Sequence, residues 1–221
     1  MNKNYFQIGG HDVEFVHAQW LSLTSQYAST PSVIESLFNS LVDHYSAEGR
    51  AYHNLGHIQS LLHLSESLMD KIQDRYAVYF AVWFHDVIYD TKRSDNEEKS
   101  AEFAAEALAG LGVPDQTIEI VQEMILATKS HSGVNLSWDM KAFLDLDTSI
   151  LGAPEDIYKE YSHAIRREYS WVPESLYRRG RMKVLNDFLE RERIYYTEEI
   201  RARYERQARL NIAEEVKALS D

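Results

Sequence analysis

Residues 75–90 read RYAVYFAVWFHDVIYD, a nearly unbroken apolar run interrupted by one histidine and one aspartate. A helix that is apolar on every side has no face to give to solvent, so this segment belongs in the middle of a bundle. Other helices must surround it and offer it apolar stripes. The run also carries a cost, because an ionised carboxylate in such surroundings needs a cation or several hydrogen-bond donors. His85 and Asp86 therefore require partners from elsewhere in the chain.

The remaining sequence supplies helices and little else. SVIESLFNSLVDHY (32–45) sets Val33, Leu37, Phe38, Leu41 and Tyr45 at helical spacing after Thr30-Pro31. NLGHIQSLLHLSESLMD (54–70) repeats the pattern through Leu55, Ile58, Leu61, Leu62 and Leu68. SDNEEKSAEFAAEALAGLG (94–112) opens on Asp95 or Ser94 as a cap, carries glutamates in its first turn and ends in glycines. VPDQTIEIVQEMILATKSH (113–131) starts with a proline and reads as helix to about Thr128, and further helices are expected around 139–150, 155–169, 174–192 and 197–219. Strand signals are nearly absent, and there is no repeat, low-complexity run or Pro/Ser-rich linker. The expected fold is one all-α domain over residues 1–221, with a core at about 30–152 and an Arg-rich helical C-terminal part at about 153–221.

Composition excludes several classes of partner. Hydrophobic residues make up 44% of the 221 and charged residues 26%, the balance of a globular chain. No segment reaches the apolar length that spans a bilayer. The start, MNKNYFQIGGHDVEF, lacks a basic-then-apolar arrangement, and the chain has no cysteine, so a cytoplasmic protein is expected. Net charge is -12. Residues 1–159 hold 10 Lys and Arg against 23 Asp and Glu, while residues 160–221 hold 13 against 12. The acidic part disfavours bulk nucleic acid and suits a metal cation better. Nothing in the sequence sets the oligomeric state, and a homodimer is allowed.

Three places carry chemistry. AYHNLGHI sets His53 and His57 four residues apart, on one face if the segment is helical. His85 and Asp86, as helical neighbours, point about 100° apart, so they share a target only in a groove between helices. FLDLDTSILG holds Asp145 and Asp147, which lie on nearly opposite sides of a helix. One of the two can therefore coordinate while the other caps or makes a supporting bond. Imidazoles and carboxylates without sulfur suit Mn, Fe, Co, Ni, Zn or Mg.

The order His57, His85-Asp86, Asp147 resembles the HD-domain superfamily of metal-dependent phosphohydrolases. More narrowly, YHNLGHI, WFHDVIYD, DNEEKSAEFA, ATKSH, FLDLDTSILG, IRREY and ARLN, in this order over residues 50 to about 212, look like the bacterial group of small predicted HD phosphohydrolases. The resemblance implies an HD helical bundle in which His57, His85, Asp86 and Asp147 bind a divalent metal. His53 and Asp145 stand as alternatives to His57 and Asp147. It further implies hydrolysis of a small phosphorylated metabolite, with a nucleotide as one candidate, by metal-activated water. Asp86 would also orient the water, and His53, His131, Lys92 and Lys129 are candidates to assist the leaving group or hold the phosphate. Asn96 and Glu97 would shape the pocket, Glu97 as a possible base, and Arg166 and Arg181 would grip phosphate. Two other readings share this architecture: a di-iron oxygenase drawing extra ligands from His53, His131 and Asp145, and a non-catalytic metal-bearing nucleotide sensor.

Overall fold

The computed structural model describes residues 10–27, 29–133 and 135–220, and the side chains of residues 10–12 lie outside that description. Among the described residues the chain is all-α. Helices α1 (Gly10–Thr24), α2 (Pro31–Tyr45), α3 (Leu55–Glu66), α4 (Arg75–Phe84), α5 (Asn96–Leu111), α6 (Asp115–Ala127) and α7 (Trp138–Thr148) come first. A 3-10 turn (Ser149–Gly152) then leads to α8 (Glu155–Glu168), α9 (Glu174–Leu189) and α10 (Glu198–Ser220).

Local chemistry explains most helix starts. All four prolines mark them: Pro31 opens α2, and Pro114, Pro154 and Pro173 immediately precede α6, α8 and α9. Asn54 accepts from the Gly56 amide to cap α3, Asp74 from Ala77 to cap α4, and Ser137 from Met140 to cap α7. The α5 helix stops at Gly112, whose φ of 79° is left-handed backbone.

Helix α4 lies at the centre of the bundle, and every residue from Ala77 to Phe84 is buried. It packs against α3, α5, α6 and α7. Helix α1, which periodicity did not single out, adds Val16 and Trp20 to the core; Trp20 meets Trp83 edge-on at 5.5 Å and donates to the Ile34 carbonyl.

The expected helix over 75–90 ends early, at Phe84. His85 still donates its amide to Ala81, but the backbone beyond is taken up by distant side chains. Arg50 donates to the carbonyls of Asp86 and Val87, Ser100 bonds both backbone groups of Ile88, and Asn96 bonds both of Asp90. These partners replace the next turn of helix, so the chain peels away with His85 and Asp86 at the bend.

Candidate metal centre

Three elements bring His57, His85 and Asp147 together. His57 stands in the first turn of α3, His85 follows the last residue of α4, and Asp147 lies in the last turn of α7. One ligand atom from each lies within 4.8 Å of the others, so the trio could hold a metal ion. His57 Nε2 is 3.2 Å from both His85 Nε2 and Asp147 Oδ1, and His85 Nε2 is 3.4 Å from the same oxygen. Ligands about 2.1 Å from one ion lie about 3.0 Å apart at right angles and about 3.4 Å apart in a tetrahedron. The three observed separations fall in that range, so the donors fit a divalent ion.

The electrostatics point the same way. His85 Nδ1 faces the Val82 carbonyl at 3.0 Å, and a carbonyl only accepts, so Nδ1 carries the proton. Its Nε2 then faces Asp86 Oδ2 at 3.1 Å as well as Asp147, and two carboxylates there require a positive charge between them. Without an ion a second proton supplies it: burial opposes the charge, yet Asp86 and Asp147 hold the His85 pKa well above the ordinary range. His57, against the same ring, is pushed down by burial. Burial would raise both carboxyls, but His85 and His53 lower Asp86, and His85, His131 and His57 bring Asp147 well down. The group could hold one cation.

Around this trio lies a supporting network. His53 precedes α3, with Nδ1 2.7 Å from Glu168 Oε2 and Nε2 4.0 Å from Asp86 Oδ2. The buried Glu168 also accepts from the amides of Ala51, Tyr52 and His53 and from the Tyr89 hydroxyl. Burial would raise its pKa, but the charge and hydrogen bond of His53, with the amides of Tyr52 and His53, hold it down at about 2. Burial lowers the His53 pKa less than Glu168 and Asp86 raise it. Arg50 bridges the carbonyls of His53, Asp86 and Val87, joining the two histidine-bearing segments. His131 Nε2 lies 2.7 Å from Asp147 Oδ2, so the two oxygens of Asp147 serve different neighbours. The His131 backbone is left-handed, with φ 47°, a conformation that costs a non-glycine residue about 1–2 kcal/mol. Arg191 and the Tyr196 hydroxyl both donate to its carbonyl and hold it there.

Asp145 points the other way. It is buried and accepts from the amides of Tyr196 and Thr197 and from the Thr197 hydroxyl, capping the approach to α10. Burial nevertheless raises its pKa to about 6. Asp147 lies in the last turn of α7, and Ser149–Gly152 after it tightens into a 3-10 turn.

A cavity of about 690 Å³ adjoins the group, with His53, Asp86, Asn96, Glu97, Lys129, His131, Asp147 and Arg181 on its wall. His57 and His85 lie buried behind it. Lys92 and Arg166 are not on the wall. Lys92 sits over the Trp171 ring, and Arg166 is spent on Glu174 and on the carbonyls of Tyr169 and Val172, joining α8 to α9. Arg93 lines the cavity but is already forked onto Asp95. Lys129 bonds Glu98 and the Ser94 carbonyl, and Arg181 pairs with Glu215. Sequence reasoning missed Arg50 and Glu168. IRREY showed only its arginines, and no local pattern marks the glutamate among them as buried.

Comparison with protein-family models, with curated proteins and with solved structures finds no match to this chain.

Proposed function

We propose that the chain is a metal-dependent phosphohydrolase of the HD type, acting on a small phosphorylated molecule. The observation that carries this reading is the meeting of His57, His85 and Asp147 beside a cavity, with Asp86 3.1 Å from His85. Those three would hold the ion, and Asp86 would serve as a fourth ligand or as the acceptor that orients the attacking water. When bound, a divalent ion supplies Lewis-acid polarisation of the phosphoryl group and a more acidic water. His53, whose Nδ1 is held by Glu168 and whose Nε2 is 4.0 Å from Asp86 Oδ2, lines the cavity and is the candidate donor of a proton to the leaving oxygen. The di-iron reading loses a ligand, since Asp145 is committed to Tyr196 and Thr197.

The test is metal analysis of the purified protein, then phosphate release from a panel of phosphomonoesters and nucleotides after loading with Mn or Ni. His85→Ala and Asp147→Ala are expected to lose the metal and to lower kcat/KM by about a thousand-fold or more. Full turnover in either variant overturns the assignment. Tight nucleotide binding without release of phosphate from any compound favours a sensor instead.

A further inference from the structure

The cavity beside the candidate metal centre has two unlike walls. One is polar and carries His53, Asp86, Glu97, Lys129, His131 and Asp147. The other is a single face of α9, where Leu176, Tyr177, Gly180, Val184, Leu185 and Phe188 follow one another at three- and four-residue spacing, with Arg181 beside Gly180 as the one charged side chain that α9 brings to the cavity. That stripe runs about 18 Å along the helix axis, far longer than a phosphate needs.

Two features of this cavity favour an apolar occupant. Leu176 and Val184 are each 48% exposed, and Trp171 on the same cavity is 51% exposed. Three of the eight large exposed hydrophobics among the described residues thus gather at one cavity. Gly180 interrupts the middle of α9, where glycine weakens a helix. Its φ is not positive, and a Cβ there would meet nothing within 4 Å, so neither backbone geometry nor a protein neighbour requires glycine. What the missing side chain leaves is room in the cavity wall.

The polar groups argue against a nucleotide body. Asn96, the cavity's one carboxamide among the described residues, bonds Asp90 at both ends and is not free to read a base edge. The cavity's lysine and arginines, Arg93, Lys129 and Arg181, are already paired with Asp95, Glu98 and Glu215. They offer no uncommitted grip for a chain of phosphates.

We propose that the substrate is a phosphomonoester with an extended apolar body, which lies along α9 over Gly180 while its phosphate meets the His57–His85–Asp147 group. This inference rests on the phosphohydrolase reading above and names its substrate class.

The experiment is calorimetric titration of the full chain, loaded with Mn, with methylphosphonate, hexylphosphonate and adenosine 5′-monophosphate. Hexylphosphonate is expected to bind about ten-fold or more tightly than methylphosphonate, since each buried methylene adds to affinity. Gly180→Leu fills the room and should erase that margin while changing methylphosphonate affinity by less than about two-fold. Val184→Ser, at a half-exposed position, is the second variant and should cut the margin about three-fold. Equal affinity for the two phosphonates, a margin that survives both variants, or tighter binding of the nucleotide overturns the proposal. Turnover separates the two readings. Hexylphosphonate binding that shows the chain-length margin, with no hydrolysis of hexyl phosphate, upholds the apolar-bodied ligand on α9 but sinks the hydrolase, whereas hydrolysis indifferent to chain length upholds the hydrolase and sinks the apolar body.

Discussion

His85 shows how little freedom a buried imidazole has once its neighbours are fixed. With Nδ1 spent on Val82, any ion that binds Nε2 must displace the proton that Asp86 and Asp147 retain there. Because the two carboxylates raise the His85 pKa against the opposing effect of burial, the proton competes with the ion and metal binding weakens as pH falls. Titration of Mn in buffers of different ionisation enthalpy should report about one proton released per ion, with affinity falling about ten-fold per pH unit on the acid side. Glu168 makes a separate prediction about stability. Its folded pKa of about 2 lies below the ordinary 4.5, so its contribution is fully present above pH 4.5 and is lost as pH falls towards 2. Glu168→Gln is expected to cost about 3 kcal/mol at pH 7 and to flatten the acid limb of stability, as read by urea unfolding from pH 7 to pH 3. Histidines and aspartates inside apolar runs stand out in a sequence because burying them is expensive. Glu168 did not stand out, because its burial depends on the amides of residues 51–53, which lie 115 to 117 positions away.

Helix α4 illustrates which boundaries local chemistry can set. Its start is written nearby in Asp74, as the other caps and the four prolines are written beside their own helices. Its end depends on Arg50, Asn96 and Ser100, none of which belongs to the helix, and the apolar pattern through Val87 and Ile88 runs past it. The turn after α7 depends on an equally remote contact. A Cβ on Gly152 would come within 2.6 Å of the Tyr204 backbone oxygen and Cβ, so α10 lies directly on the 3-10 turn. Gly152→Ala must push the two apart, and overpacking of this kind costs about 1–3 kcal/mol. The expected result is a lower Tm, and because that turn follows Asp147 by so few residues, weaker metal retention as well. A variant that melts with the wild type would show that α10 yields at no cost.

The C-terminal third is joined to the bundle at many points along its length. Asp145 holds the start of α10, Asn211 donates to the carbonyls of Leu151 and Ala153, and Glu215 joins Tyr158 of α8 to Arg181 of α9. A boundary after residue 152 is crossed by the Asp145 bonds and by the bond from Asn211 to Leu151, so the chain should unfold as one unit. Urea transitions followed by tryptophan fluorescence and by far-ultraviolet circular dichroism are expected to coincide, and two separated transitions would show that the C-terminal helices fold independently. The sequence by itself determined that the chain is all-α and that a few histidines and aspartates had to find buried partners. Helical spacing and the cost of burying charge are properties of residues and their near neighbours. Only the tertiary structure decided that Asp147 faces the histidines while Asp145 caps α10, that Arg50 and Glu168 support the site, and that α9 lays an apolar wall beside it. Each of those outcomes depends on atoms brought together from distant segments, and such meetings leave no local pattern to read.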